Sequence, residues 1–536
     1  MKVDIRPIHY LAFTLILITY VGFRLMAWES AVLLKDTDSL SYLRDIETFL
    51  SFNLTKIANL DPDSSLFYPF LGALFSLPGW SVQFGAELAS FFSGIVLFGA
   101  VLGIGFQIAR PAAIALGVFF LAINPELIAH SFTVLTEPVY VATIYLGIWL
   151  FWVLYKNPKS WGAVILGIIF GLAFLNRMEG ILFIIFIPLM LFVYFLTKRP
   201  KTIALKTVVS WSLIYVLTFI MLAGVQVLRV SNQMNGLAIN GRQVWAALLH
   251  SPLGKSYDEK IYGLNFNPKQ INIVYLKKNP QELKKINTIN VNYISTIVKN
   301  CRDLYFYGFP RLIGIFIFTF FVFGLFSLHQ SQKRFEVFLI LSFIAFGLSA
   351  PLLHNVVIRH ILIVAPIMLL VAGIGVDFLW RSVIVGDNRP TIFRFTLLAV
   401  MLLFVIAGWE SQIRESFSPP THNREYSLTE LKEPMDIIKS ETAEWERQPI
   451  ISARKGYLSY FLGTTKNALL PYSNYEQLVT YTTLNQVDYI YLKYSLIKDF
   501  PFLKVFQTGA YKRDFERLYR GVDAGGDPLE LYRVRK

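Results

Sequence analysis

The 536-residue chain is poor in cysteine and in charge. Its single cysteine, Cys301, excludes an intramolecular disulfide and a zinc site built from cysteines. Only 16% of the residues are charged and 54% are apolar, whereas soluble domains have about 25% charged and about 45–50% apolar residues. The composition therefore predicts a polytopic α-helical membrane protein.

The net charge of +14 could indicate nucleic-acid binding, but the positions of the basic residues indicate membrane topology. Most of the excess lysine and arginine lies in short loops between apolar runs. These runs predict about eleven spans, two of them short for a full crossing. Threading them places the short basic loops on one side, which the positive-inside rule assigns to the cytoplasm. The spans are expected near residues 8–28, 82–107, 111–123, 138–155, 161–176, 180–197, 206–229, 309–328, 335–352, 361–380 and 393–409.

This threading predicts a multi-pass protein of the plasma (inner) membrane, with a cytoplasmic N-terminus and an extracytoplasmic C-terminus. Lys2 and Arg6 precede the first apolar run, and no convincing cleavage site follows it, which favours an uncleaved signal anchor. We expect a transmembrane domain over 1–409 and a small soluble extracytoplasmic domain over 410–536.

The outer face is expected to carry two large loops, 29–81 and 231–308. The first contains two predicted surface-lying helices, near 38–52 and 66–78. In an alternative, thirteen-span layout the second of these helices would cross the membrane. Its short length and Pro69 argue against a crossing.

The C-terminal tail has balanced charge and mixed periodicity. Residues 428–445 have a helical pattern, and 448–453, 487–494 and 529–534 have strand patterns. The tail is therefore predicted to form a small α/β domain.

An acidic cluster follows the first span, in the sequence KDTDSLSYLRD. It contains Asp36 and opens a helix-like stretch in which Asp38, Tyr42 and Asp45 fall on one face. A carboxylate held at the membrane surface can deprotonate a hydroxyl near a lipid-borne substrate. The alternative is that Asp36 or Asp38 only caps the helix.

Further ionisable residues lie at the outer ends of spans, where their burial needs a reason. They are Glu137, Arg177, Glu179, Arg359 and His360. Arginine binds phosphate oxygens bidentately, and a carboxylate can act as a general base, so this set suits transfer of a group from a lipid phosphate. A purely structural alternative stays open, because glutamate suits a helix start and Arg177 could simply pair with either glutamate.

Two other interpretations concern basic side chains. Arg24, near the outer end of the first span, could snorkel to the interface. His130, His354 and His360 could bind a metal together with Asp38, but no two of these histidines have the i,i+4 spacing of helix ligands. No metal site and no cofactor are therefore predicted.

Several short motifs occur in a defined order along the chain. They are Asp38-Ser-Leu-Ser-Tyr42, Phe67-Tyr68-Pro69 at the surface helix, Thr136-Glu137, Arg177-Met178-Glu179-Gly180, and Arg359-His360 with Pro366. In their order and sidedness they resemble the motifs of GT-C fold membrane glycosyltransferases, in particular the group of protein O-mannosyltransferase and aminoarabinose transferase. The resemblance covers about residues 1–410 and, weakly, the tail.

This resemblance implies an integral-membrane glycosyltransferase with a polyprenyl-phosphate-sugar donor. It implies an inverting, metal-independent transfer to an extracytoplasmic lipid, glycan or protein acceptor. Asp38 would be the general base, Glu137 would support donor or acceptor, and Tyr42 would orient Asp38. The arginines would neutralise the departing phosphate, and the tail would help to recruit the acceptor. The expected substrate-binding residues are Asp36, Tyr42, Arg177, Glu179, Arg359 and His360.

The chain departs from the pattern of the group at two motifs. His360 replaces the usual aromatic residue, and the surface helix has one proline in place of a pair. The donor lipid and the sugar therefore stay open. A flippase for a lipid-linked saccharide would be expected to show mid-membrane charges and an internal repeat, and neither is evident. A non-catalytic partner in envelope assembly would tolerate loss of Asp38.

Overall fold

The computed structural model describes residues 6–30, 37–198, 204–234, 236–239, 293–353, 356–385, 428–464, 467–523 and 525–535, with part of 399–412. Asp36, His354 and most of the 231–308 loop lie outside the described residues. Helices up to the long loop are α1 Pro7–Ser30, α2 Thr37–Leu50, α3 Leu54–Ala58, α4 Phe67–Ser76, α5 Val82–Ile108, α6 Pro111–Ile123, α7 Pro125–Ala129, α8 Glu137–Leu154, α9 Ser160–Asn176, α10 Phe183–Lys198 and α11 Leu205–Gln233. After the loop come α12 Tyr293–Asp303, α13 Phe309–Leu312, α14 Ile315–Gln330, α15 Arg334–Leu353, α16 Ile358–Ile361 and α17 Ala365–Leu379.

Within these residues, seven helices are long and apolar enough to cross a membrane. An eighth candidate is a pair, Ile294–Leu312 and Ile315–Gln330, bent by 98°. The predicted span 309–328 is therefore wrong at its start, because Gly314 adopts a φ of +76° and breaks the helix there. Helices α6 and α9 are shorter, as the sequence predicted. The described residues between 399 and 412 are helical, while the rest of the eleventh predicted span lies outside the description.

Helix α17 lies at the centre of the bundle, and all its residues from Ala365 to Val376 are buried. It approaches its neighbours through glycine. A Cβ on Gly373 would overlap the backbone of Gly117 in α6, and one on Gly375 would overlap the carbonyl of Phe320 in α14. Small residues at these contacts let helix backbones pack closely inside a membrane.

The predicted surface helices are present as α2 and α4. At about 1.5 Å per residue, the 10 residues of α4 extend about 15 Å, roughly half the hydrocarbon thickness of a bilayer. Tyr42 of α2 packs edge-on against Tyr68 of α4, with 5.5 Å between ring centroids. The length of α4 thus argues against the thirteen-span layout in which this helix crosses the membrane.

The tail forms an α/β domain with a five-stranded sheet. Its elements are α18 Leu428–Glu441, β1 Ile451–Ala453, α19 Tyr457–Phe461, β2 Asn467–Leu469, α20 Tyr475–Leu484, β3 Tyr489–Lys493, α21 Leu503–Thr508, β4 Phe515–Val522 and β5 Pro528–Val534. The strand order in the sheet is β2-β1-β3-β5-β4. Strand β1 is parallel to β2 and β3, and β5 is antiparallel to β3 and β4. The predicted helix and three predicted strands are confirmed, whereas β2 and β4 were not predicted.

The α/β domain packs on the end of the helix bundle that carries α2. Val230 and Met234 at the end of α11 belong to the same hydrophobic cluster as one face of the sheet. Leu40 of α2 belongs to the cluster on the other face. The Tyr460 hydroxyl donates a hydrogen bond to Glu47 Oε1 at 3.1 Å. The tail is thus held against the part of the bundle that also carries Asp38.

Candidate active site

Five charged side chains from distant parts of the sequence form a continuous ion-pair chain: Asp38, Arg359, Glu137, Arg177 and Glu179. Arg359 Nη2 lies 3.4 Å from Asp38 Oδ2, and Arg359 Nε lies 3.7 Å from Glu137 Oε1. Arg177 Nη1 lies 2.5 Å from the same Glu137 oxygen, and Arg177 Nη2 lies 3.0 Å from Glu179 Oε1. The structure therefore brings together these five predicted site residues.

Exposure divides the ion-pair chain into two parts. The side chains of Arg177 and Glu137 are only 6% and 4% exposed. Asp38 is 45% exposed and Arg359 is 25% exposed. Asp38 and Arg359 are therefore the accessible members of the ion-pair chain, whereas the Arg177–Glu137 pair lies behind them.

Arg359 is positioned by a break in the helix that precedes Pro366. Helix α16 ends at Ile361, a 3-10 turn covers Leu362–Val364, and α17 begins at Ala365. Proline lacks an N–H and disrupts the helical hydrogen bonding before it. The Tyr145 hydroxyl fills this gap, because it donates to the Ile363 carbonyl at 2.9 Å and accepts from the Ile367 N–H at 2.9 Å.

The same helix, α8, carries both Tyr145 and Glu137. Glu137 is its first residue and Pro138 lies in its first turn, as the sequence predicted. Just before it, the Thr136 carbonyl accepts a hydrogen bond from Asn176 Nδ2 at 2.9 Å. Helix α8 thus fixes Glu137 directly and supports Arg359 through Tyr145.

The turn that carries Arg177 requires glycine at position 180. A Cβ there would lie 2.6 Å from the backbone nitrogen of Phe174. This close approach folds the turn back on α9, so that Arg177 reaches both Glu137 and Glu179. Burial lowers the pKa of the Arg177 guanidinium, but the charges of Glu179 and Glu137 outweigh it, and the pKa lies well above its ordinary value. The two ion pairs that the purely structural interpretation offered, Arg177–Glu137 and Arg177–Glu179, are therefore both present.

Helix α2 carries Asp38 in its first turn, with Tyr42 and Asp45 buried further along it. Asp45 does not join the ion-pair chain. Desolvation raises the pKa of its carboxyl to about 7, against the opposing effects of Ser64 and Arg229. The sequence predicted these three residues on one face of the helix, but Asp38 and Asp45 lie in two different environments.

Arg229, near the C-terminal end of α11, is a residue that the sequence reasoning missed. It donates to the Leu60 carbonyl at 2.6 Å and to the Ser64 carbonyl at 3.0 Å. It thereby holds the segment between α3 and α4 against the end of α11. The available signal was a basic residue that the predicted topology places on the side disfavoured by the positive-inside rule.

The snorkelling interpretation of Arg24 is wrong, because Arg24 is only 1% exposed. Its guanidinium lies 3.3 Å from the ring centroid of Tyr20. Arg24 Nη1 also donates to the carbonyls of Tyr20 and Ala122, at 3.0 and 3.2 Å. The guanidinium is thus held inside the bundle by these carbonyl oxygens and by Tyr20.

No group of three histidine, cysteine or carboxylate side chains that could hold a metal occurs among the residues that the structure describes. His130 Nδ1 lies 2.8 Å from the Glu126 carbonyl oxygen. His130 also lines a small cavity together with the cationic Arg24, which is an unfavourable neighbour for a metal ion. His360 follows Arg359 directly in α16 and is partly buried.

Comparison with solved structures shows which fold this is. The archaeal oligosaccharyltransferase AglB from Archaeoglobus fulgidus, in complex with an inhibitory peptide and a dolichol-phosphate, is similar at TM-score 0.57 and 13% identity, over 98% of this chain and 74% of that one. ArnT from Cupriavidus metallidurans in the apo state is similar at TM-score 0.52 and 10% identity, over 97% of each chain. ArnT bound to undecaprenyl phosphate is similar at TM-score 0.50 and 12% identity, over 98% of each chain.

At these identities the likeness shows the fold. The chain is a multi-pass membrane protein with the GT-C fold and a C-terminal sheet domain, as the sequence predicted. No protein-family model and no curated protein matches it.

Proposed function

We propose that this chain is a membrane glycosyltransferase that moves a sugar from a polyprenyl-phosphate carrier to an acceptor outside the cytoplasm. The contact between Asp38 and Arg359 carries this proposal. It places an accessible carboxylate, which can act as a general base, beside an accessible guanidinium, which can bind phosphate. The fold gives further support, since the AglB and ArnT structures above were obtained with dolichol-phosphate and undecaprenyl phosphate.

In the proposed reaction, Asp38 takes the proton of the acceptor hydroxyl or amine. The acceptor atom attacks the anomeric carbon from the face opposite the phosphate, which inverts the configuration. The bond between that carbon and the phosphate oxygen breaks, and its electron pair leaves on the lipid phosphate. Arg359 neutralises the charge that develops there.

The two roles are coupled through the Asp38–Arg359 contact. As long as Asp38 is ionised, it holds one end of the Arg359 guanidinium. When Asp38 takes the acceptor proton, it loses its charge and its hold on Arg359. The N–H group that Asp38 releases can then bind the leaving phosphate at the moment when negative charge appears on it.

We assign a positioning role to Arg177 in place of direct phosphate contact. Its guanidinium is buried and donates to Glu137, Glu179 and Thr136. Glu137 in turn holds Arg359 at 3.7 Å. Tyr42 supports α2, and His360 and Glu179 would border the substrate. Asp36 stays a predicted substrate-binding residue outside the described part of the chain.

We also propose that the chain lies in the plasma membrane with its site on the extracytoplasmic side. In the same proposal, residues 1–409 form the transmembrane domain and residues 410–536 form the soluble domain. Asp38 and the C-terminal domain lie at one end of the bundle. An acceptor recruited by that domain would therefore arrive on the side of the proposed base.

Mass spectrometry of the lipid-linked sugars that accumulate in a deletion strain first identifies the donor. The test then measures sugar transfer from that polyprenyl-phosphate donor by the purified protein in detergent. Wild type is expected to release polyprenyl phosphate and to glycosylate an acceptor, and Asp38→Asn is expected to do neither. A flippase would instead move the lipid-linked saccharide across vesicles without breaking it. A non-catalytic assembly protein would restore envelope glycans in the deletion strain even as Asp38→Asn.

A further inference from the structure

The C-terminal domain contains a groove on the face of its sheet that is covered by α21. The groove has a volume of about 440 Å³, within the range of roughly 300–1,000 Å³ that is typical of small-molecule sites. Tyr494, Leu503 and Phe506 line it beside the charged residues described below. The same three side chains belong to the hydrophobic cluster that includes Val230 of α11 and Met234, the residue after that helix.

We propose that this groove binds a small organic anion, namely a saccharide that carries a phosphate or a carboxylate. The groove is too large for a single inorganic ion, and its charged lining favours an oxyanion. Recognition of such a group as part of the acceptor rests on the proposed glycosyltransferase function. The binding itself does not.

A β-bulge brings the two arginines of the groove to one face. Arg517 pairs with Tyr532 and Arg520 pairs with Glu530, while the register shifts at Leu518 between them. In a regular strand, residues three apart point to opposite faces. The inserted residue instead places Arg517 and Arg520 opposite two residues of β5 that share a face. Bulges often re-aim side chains beside functional sites.

The cluster on the opposite face of the sheet supports this assignment. Leu518 and Tyr519 both pack against the cluster of Leu529 and Leu531. Two consecutive residues of β4 therefore contact one side, and both arginines are left on the other.

Glu530 anchors the arginines from the floor of the groove. Its Oε2 accepts from the hydroxyls of Tyr494 and Tyr532, at 2.6 and 2.5 Å. Its Oε1 is shared by Arg517 Nη1 at 3.3 Å and Arg520 Nε at 3.5 Å. One carboxylate oxygen thus orients two guanidiniums, each of which has five N–H donors.

The charge balance of the groove favours an incoming anion. Its lining contains three basic side chains, Lys498, Arg517 and Arg520, against Asp527 and Glu530. Lys498 pairs with Asp527 at 3.3 Å, and among the residues that the structure describes the two arginines share the carboxylate of the buried Glu530. Arg520 is 63% exposed and Arg517 is 39% exposed, which leaves both accessible to a ligand. An oxyanion between them would relieve their mutual repulsion and accept paired N–H bonds.

The experiment measures binding of glucose 1-phosphate, glucuronate and glucose to the full-length protein in detergent by saturation-transfer NMR and calorimetry. The Arg359→Ala background removes the proposed phosphate ligand of the active site. The test variants are Arg520→Gln and the double variant Arg517→Gln/Arg520→Gln. The matched control is Arg533→Gln, because Arg533 lies on β5 facing the other side and pairs with Glu441 and Glu516.

Glucose 1-phosphate or glucuronate is expected to bind at least about tenfold more tightly than glucose. The double variant should lose that preference, Arg520→Gln should lose part of it, and Arg533→Gln should keep it. Whichever anion binds more tightly identifies the phosphate or the carboxylate as the recognised group. The proposal is overturned if neither anion binds better than glucose, or if the double variant, with an unchanged melting temperature, binds like wild type.

Transfer activity separates this site from the proposed function. If Asp38→Asn retains transfer, the proposed function fails while the binding result stands. If transfer depends on Asp38 but the groove variants bind anions normally, the groove proposal fails alone.

Discussion

The guanidinium of Arg359 lies 3.4 Å from the carboxylate of Asp38, although 321 residues separate them in the sequence. Helix α2 and the break before Pro366 meet only in the folded bundle. The contact pairs the partly exposed proposed base with the partly exposed side chain that is proposed to bind phosphate, and the buried Arg177–Glu137 pair lies behind it.

Replacement of the proposed base tests the chemistry. Asp38→Asn is expected to fold normally, because the side chain is 45% exposed. It should lower the transfer rate about 10²–10⁴-fold, since an amide cannot take the proton. The transfer rate of purified protein is the measurement, with Asp36→Asn as the comparison that should be less affected. Equal rates for Asp38→Asn and wild type would defeat the assignment, and loss of activity only in Asp36→Asn would move it to the other aspartate.

Arg359 variants test the phosphate role. Arg359→Lys keeps the charge but loses the two-pronged hydrogen bonding, so it should be impaired, and Arg359→Ala should be nearly inactive. Both should bind polyprenyl phosphate more weakly than wild type. Melting temperature and product binding are measured on the same preparations. A purely structural Arg359 would show the opposite pattern, with a lower melting temperature and unchanged affinity in the surviving fraction.

Tyr145→Phe tests the support of the helix break. The change removes the hydroxyl that bonds Ile363 and Ile367, and each unsatisfied backbone group costs about 1–3 kcal/mol. We expect a lower melting temperature together with weaker binding of polyprenyl phosphate, because Arg359 moves. Tyr215→Phe is the matched control, since it also removes a buried hydroxyl bond, to the Phe183 carbonyl at 2.7 Å. Equal product affinity in both variants would remove the positioning role of Tyr145.

Asp45 predicts a pH dependence of stability. Burial raises the pKa of its carboxyl to about 7, whereas an unfolded aspartate has a pKa of about 3.9. Between these values the folded protein binds more protons than the unfolded chain, so this group's contribution to stability is lost as the pH rises toward 7. Asp45→Asn should therefore gain melting temperature relative to wild type between about pH 5 and pH 8. Parallel melting curves over this range would contradict the prediction.

Reporter fusions test the orientation. A reporter that is active only in the cytoplasm should be silent after Arg535 and active in the loop after Gln330, because the short basic loops define the cytoplasmic side. Alkaline phosphatase at the same two positions should give the reverse result. A cytoplasmic signal after Arg535 would overturn the proposed topology and place the C-terminal domain on the other side.

The sequence alone determined the fold class and most of the helices, and it named the residues of the candidate site. Apolar runs of sufficient length indicate spans, because a bilayer requires backbone hydrogen bonds within each segment. Period-two patterns located β1, β3 and β5 of the tail. Glu137, Arg177 and Arg359 were predicted as site residues because ionisable residues at the ends of spans need a reason. Asp38 was predicted from the acidic cluster that follows the first span.

Only the tertiary structure decided the contacts that depend on packing between distant segments. The bond of Tyr145 across the break before Pro366, the hydrogen bonds of Arg229 and the burial of Arg24 have no periodic signal in the sequence. The break at Gly314 and the bulge at Leu518 depend on a single residue's backbone within an otherwise regular pattern. Periodicity reports which face of an element is apolar, whereas the partner of a polar side chain is fixed by how the helices and strands meet.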